Sequence, residues 1–356
     1  MKTAWTWLVP VASLVLLVAG IASGVGTLLA ILCGAGLIGA VAAAVHHAEV
    51  VAHRVGEPFG TLVLAVSVTV IEASLILSMM LAGGKEVASL PRDTIYAAIM
   101  IICNGVIGAC VLVGGLVHRE QSFRIEGANA GLAALIAMAA LSLVLPNFTI
   151  SSGRGTYNEI QLEFAAVTSA ALWAVYVFIQ TVRHRDYFLP LDAASDEGHH
   201  ATPPTNRQAL ASFGLLLVSL VAVVGLAKIL SPTIESALIK AGAPSAVLGI
   251  LIAMLVLMPE GFAALRAASA DRLQTSMNLA IGSALASIGL TIPVVAFAAI
   301  TLDLPLVLGL GEKDLVMLVV TFLVSIVTLA SGRTHLMQGA VHLVLFAAFL
   351  FLAFVP

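Results

Sequence analysis

Residues 56–80 read GEPFGTLVLAVSVTVIEASLILSMM. The run is apolar and long enough to cross a hydrocarbon layer of about 30 Å as a helix. It carries one carboxylate, Glu72, deep inside. A second stretch, residues 243–268, reads APSAVLGILIAMLVLMPEGFAALRAA and buries Glu260 in the same manner. A carboxylate at membrane depth costs about 2.5–3.5 kcal/mol on insertion scales. One in each half of the chain calls for a function, and the pair reads as a single cation- and proton-binding site. Hydrogen bonding between helices is the plainer role for the two acids.

The rest of the composition agrees with a membrane setting. Of 356 residues, 60% are hydrophobic and 10% charged, which excludes an ordinary soluble domain. The net charge of -3 argues against nucleic acid as a partner. No phosphate-cradling G-x-x-x-x-G-K-[ST] loop is present, so the sequence shows no ATP-driven engine. Cys33, Cys103 and Cys110 all lie in apolar runs and read as small buried residues.

Eleven apolar spans follow from the hydropathy pattern: 5–21, 25–45, 59–82, 94–117, 127–145, 161–182, 209–230, 245–267, 275–301, 312–331 and 336–355. The first 24 residues read as a retained helix, because another apolar run follows at once; a cleaved signal peptide would leave the downstream orientation unchanged. Placing the N-terminus in the cytoplasm puts Lys2, Arg54, Arg119, Arg124, Arg183, Arg185, Arg207, Arg266, Arg272 and Arg333 on that side. Lys85, Arg92, Arg154, Lys240 and Lys313 fall opposite, and Lys228 lies near the outer end of its span. The asymmetry follows the positive-inside rule.

The longest polar gap, residues 183–208, reads as a cytoplasmic linker, with its acids and histidines solvated rather than metal-bound. It divides the chain into a five-span half (25–182) and a second five-span half (209–356), after an N-terminal helix (1–24). Five is odd, so the halves are expected to lie in opposite orientations, as inverted repeats. Gly56-x-Pro58 precedes Glu72, and Gly242-x-Pro244 precedes Glu260. The span after each acid is rich in small and polar residues: Asn104, Gly105 and Gly108 in one, Gly282, Ser283, Ser287 and Thr291 in the other. Such residues let helices approach and hydrogen-bond.

Thr69 stands one turn before Glu72, with Ser67, Ser74 and Ser78 nearby. Pro259 removes a backbone donor beside Glu260, and helices broken at mid-membrane are the expected source of coordinating carbonyls. Oxygen donors suit hard cations such as Ca²⁺ and disfavour Zn²⁺ or Cu⁺. His46, His47, Glu49 and Glu57 lie ahead of the Glu72 span, either on an amphipathic surface helix or as a cytoplasmic entry for cations and protons. His342 reads as a packed, hydrogen-bonded histidine more readily than as a proton relay. Asp303, Glu312 and Asp314 read as solvated residues at an outer helix end.

Residues 48–72, AEVVAHRVGEPFGTLVLAVSVTVIE, and 258–293, MPEGFAALRAASADRLQTSMNLAIGSALASIGLTIP, resemble the two repeats of calcium/proton antiporters in the calcium/cation antiporter superfamily. The likeness is nearest to the bacterial ChaA-like branch and covers most of residues 46–300. It implies that Glu72 and Glu260 are the essential acids that bind the cation, with Thr69, Asn104, Ser283 and Ser287 as supporting polar groups. It also implies an all-α polytopic inner-membrane protein that exchanges Ca²⁺, Na⁺ or K⁺ for H⁺, with no resident cofactor. Its partners would be cations, protons, the lipid bilayer and a second copy of itself. Where the family commonly has Asn before each acid, this chain has Thr69 and Leu257, and Ala286 replaces a Gln. Fewer side-chain oxygens imply weaker Ca²⁺ selectivity, so Na⁺/H⁺ or K⁺/H⁺ exchange stands as an alternative beside Ca²⁺/H⁺ exchange, the leading expectation. Two other classes fit less well: a membrane scaffold or cation sensor without flux, and an intramembrane hydrolase, for which neither G-x-S-x-G nor H-E-x-x-H is present.

Overall fold

A computed structural model describes residues 4–24, 26–56, 59–83, 87–189, 204–240, 244 and 246–355. Eleven helices stand where the apolar runs predict them. They are α1 Ala4–Ser23, α2 Thr27–Val55, α3 Phe59–Gly83, α4 Leu90–His118, α5 Ile125–Asn147, α6 Glu159–Arg183, α7 Asn206–Lys240, α8 Ala246–Ser269, α9 Leu273–Thr301, α10 Glu312–Ala330 and α11 Leu336–Phe354. Ten are long and apolar enough to cross a membrane; in α3 the apolar stretch Ala65–Leu81 is shorter. The chain is a polytopic membrane protein, and its described residues are all-helical apart from one small ladder. That ladder pairs β1 (Glu120–Ser122) antiparallel with β2 (Arg333–His335), with Gln121 opposite Thr334.

The helices gather into two compact units that cut across the sequence halves. The first holds α1, α2, α3 and α7. In it α7 packs on α1, α2 and α3. Gly36 admits the Ser13 hydroxyl, which donates to Gly36 O at 2.9 Å and ties α1 to α2. Arg54 Nε donates to Asn206 Oδ1 at 2.8 Å, joining the end of α2 to the start of α7.

The second unit holds α4–α6 and α8–α11. Its core runs along α4, α5, α8 and α9, with Ile95, Ile99, Leu135, Met138, Leu257, Ala284 and Leu285 at its centre. Gly249 is what lets α8 lie against α4: a Cβ there would sit 2.7 Å from the carbonyl carbon of Asp93.

Hydrogen bonds sort this unit's connections into two ends. At one, β1 follows α4 and pairs with β2 before α11. There Gln121 Nε2 donates to Ala268 O (2.9 Å) and Asp271 Oδ1 (2.8 Å) between α8 and α9. Asn278 Nδ2 donates to Phe188 O (2.6 Å), beyond α6. At the other end, Arg92 Nη1 donates to Gly309 O (3.2 Å) and Asn147 Nδ2 to Leu310 O (2.6 Å). Lys313 Nζ reaches Leu352 O (2.7 Å). Any two of these connections at one end are separated by an even number of helices, as strict up-and-down alternation requires. The basic residues of this unit divide as the sequence sorted them, with Arg119, Arg124, Arg272 and Arg333 at the first end and Arg92, Arg154 and Lys313 at the second.

Three expectations are corrected. First, α2 does not stop near residue 45 but runs to Val55, where Gly56 takes φ 74° and donates its N–H to Ala52 O. His46, His47 and Glu49 are thus on its last turns, not on a separate surface helix; helical hydrogen bonding continues across polar residues as readily as apolar ones. Second, the acid-bearing helices are not broken. α8 passes through Pro259 without interruption, because a proline frees one carbonyl, that of Leu255, while its neighbours keep the helix. The irregular backbone lies elsewhere, in π-helical segments Ile101–Val106 of α4, Ala140–Val144 of α5 and Ile179–Arg183 of α6. Third, Asp314 is half-buried, whereas Asp303 and Glu312 are exposed as expected. Glu57, Pro58, Gly242 and residues 190–203 of the linker lie outside the described residues.

Candidate functional site

In the first unit, Glu72 occupies the interior of α3 with 2% of its surface exposed. Thr69, one turn earlier on the same face, is 5% exposed, and Ser67 and Ser78 are buried with it. Ser67 Oγ donates back to Val63 O at 2.7 Å, which uses up its proton within the helix. His47 is turned inward. It is 2% exposed, and its Nε2 lies 2.8 Å from Thr6 O, so it pins α2 to α1. His46 is half-buried with its ring 5.5 Å from that of Trp5, and Glu49 is exposed.

In the second unit, Glu260 is half-buried on α8, between Pro259 and Gly261. The Gly261 Cβ position faces Val106 at 3.3 Å, so this turn packs on the π-helical part of α4. On α9, Ser283 is half-buried, Ser287 is 3% exposed and Thr291 fully buried, one helical turn apart in succession. Glu72 stands in one unit and Glu260 in the other.

Asn104 has a definite set of partners. Its Nδ2 donates to Thr321 Oγ1 of α10 at 2.8 Å, and its Oδ1 lies 3.1 Å from His342 Nδ1 of α11. His342 Nε2 lies 3.0 Å from Thr328 Oγ1. With Asn104 Nδ2 committed to Thr321, Oδ1 accepts from the Nδ1–H of His342, and Nε2 accepts from the Thr328 hydroxyl. Asn104, Thr321 and His342 are completely buried and Thr328 is 2% exposed. The packed-histidine reading of His342 is what the structure shows. The π segment matters here: the Ile107 N–H reaches Ile102 O, one residue further back than in an α-helix, and that extra residue re-aims the face carrying Asn104. A small cavity of about 10 Å³, lined by Cys103, Ser325, Thr328 and His342 among apolar side chains, adjoins the network.

Sequence reasoning missed Thr321, Ser325 and Thr328. Their signal was legible, since spacings of four and three put three hydroxyls on one face of an otherwise apolar helix.

The sodium/calcium exchanger protein family model matches this chain twice, over residues 25–182 and 211–355. A Sinorhizobium fredii protein, provisionally named an ionic transporter, is 47% identical over 99% of this chain and 96% of its own. The sodium-potassium/proton antiporter ChaA of Escherichia coli is 36% identical over 90% of this chain and 87% of its own. Among solved structures, native YfkE superposes with TM-score 0.75 at 19% identity, covering 99% of this chain and all of that one. The H⁺/Ca²⁺ exchanger CAX gives 0.72 at 14% identity, covering 99% and 89%. Two family matches, one for each acid-bearing half, place the chain in the sodium/calcium exchanger family.

Proposed function

We infer that the chain is a cation/proton antiporter in which Glu72 and Glu260 form one site that holds either protons or a cation. The observation that carries this is the placement of one carboxylate inside an apolar helix of each family-matched half, Glu72 at 2% exposure. A carboxylate in that setting is stable when protonated or when neutralised by a cation, and unfavourable when bare. Protons and cation then compete for the same oxygens, and the competition is the coupling. Thr69, Ser283 and Ser287 supply further oxygens.

Five spans in each half support the inverted-repeat reading, and the basic asymmetry supports a cytoplasmic linker, an outer C-terminus and residence in the inner membrane. For the ion, the 36%-identical relative is named for Na⁺ and K⁺, whereas relatives named Ca²⁺/H⁺ antiporters, from Aphanothece halophytica and Bacillus subtilis, are 24–25% identical. With Thr69, Leu257 and Ala286 withholding amide oxygens, Na⁺ and K⁺ are the proposed principal substrates, with Ca²⁺ beside them.

The test is a pH-dye assay in everted vesicles with Na⁺, K⁺ and Ca²⁺ added in turn. Dissipation of the proton gradient by at least one cation is expected, and its loss in Glu72→Gln and in Glu260→Gln. No dissipation by any of the three, or full exchange in either variant, would overturn the reading.

A further inference from the structure

Lys228 is unused by the antiport reading. It lies on an exposed side of α7 in the first unit and makes no hydrogen bond or ion pair among the described residues. The apolar part of α7 begins near Leu210, so Lys228 is 18 residues, or about 27 Å, along the helix. That is close to the full hydrocarbon thickness of about 30 Å, and the side chain is long enough to lift its ammonium into the headgroup layer.

Beneath it runs a groove of about 690 Å³ between α1 and α7, floored by Gly225 and walled by Leu17, Ile21, Leu220 and Val224. The groove exists because α1 crosses α7 at Gly225, where a Cβ would collide with the Leu17 side chain. Leu220 is eight residues before Lys228, so the groove descends about 12 Å into the hydrocarbon from the level of the ammonium. A single cation at the headgroup level over an apolar furrow of that depth matches one ligand shape, an anionic head with an acyl tail.

We propose that this groove is a binding site for an anionic phospholipid, its phosphate on Lys228 and one acyl chain seated between α1 and α7. A basic residue between transmembrane helices selects acidic headgroups through charge, and an apolar furrow holds the chain by packing. The site is separate from the acids of the exchange reaction, so it stands whether or not that reading does.

The test is native mass spectrometry of the full chain with equimolar phosphatidylglycerol and phosphatidylcholine of identical acyl chains. About a fivefold preference for phosphatidylglycerol is expected. Lys228→Gln should bring the ratio towards one, Lys228→Arg should keep it, and Val224→Trp, which fills the groove, should lower occupancy by both lipids. Lys228 is exposed, so its variants fold. A ratio near one in the unmodified chain, an unchanged preference in Lys228→Gln, or displacement of the lipid by glycerol phosphate as effectively as by phosphatidylglycerol would each overturn the proposal. The last outcome would identify the ligand as a free phosphate.

Discussion

Replacing His342 by Leu should destabilise the second unit through Asn104. Two hydrogen bonds are lost, of 3.1 and 3.0 Å. Their consequences differ. Thr328 can turn its hydroxyl back to the carbonyl one helical turn earlier, as Thr168 and Thr181 already do. Asn104 Oδ1 has no such alternative, because Asn104 is completely buried and its Nδ2 is held by Thr321. An orphaned buried acceptor costs about 1–3 kcal/mol. Hydrogen bonds between helices in a membrane average about 0.6 kcal/mol. The expected cost of His342→Leu is therefore about 2 kcal/mol, and that of Thr328→Val less than about 1 kcal/mol. The decisive measurement is a double-mutant cycle, read as unfolding in detergent micelles titrated with denaturing detergent. Adding Asn104→Leu to His342→Leu removes the orphan, so the double variant should lie well short of the sum of the singles. Strict additivity, or no loss in His342→Leu, would refute the network as an energetic unit.

Apparent cation affinity should rise with pH until both Glu72 and Glu260 have lost their protons, because cation and proton compete; titrating cation-driven proton flux in proteoliposomes across a pH series checks this, and a flat response would contradict it. Gly249→Leu should weaken the α4–α8 contact by more than about 2 kcal/mol, since its Cβ would sit 2.7 Å from the Asp93 carbonyl carbon; a thermal melt in micelles gives the value. Glu312→Gln should change stability by less than about 0.5 kcal/mol, because the Arg154–Glu312 pair at 2.9 Å is largely exposed on both sides. Reporters fused within residues 151–155 and within 269–272 should report opposite faces of the membrane, and the same face for both would break the alternation seen in the loop contacts.

What the sequence by itself determined was everything that depends on local hydropathy. A run of some twenty apolar residues has one low-cost fate in a bilayer, so all eleven helices were legible, as were the two acids that interrupt them, Glu72 and Glu260. The polar gaps, being surface loops, sorted the basic residues onto two faces, and the contacts within the second unit repeat that sorting. Tertiary structure decided what depends on partners far away in the chain. Asn104 was expected as a loose supporting oxygen; its bonds to Thr321 and His342 span 217 and 238 positions, and no local pattern encodes which helix faces which. The three-residue ladder of β1 and β2 is too short to show periodicity, and the π segment that re-aims Asn104 looks like any apolar helix in sequence. His47 stands ahead of the Glu72 span as a polar residue in the sequence; only the packing of α1 on α2 shows it turned inward, its Nε2 donating to Thr6 O. Hydropathy decides that a segment is buried in the membrane, and side-chain packing decides against what.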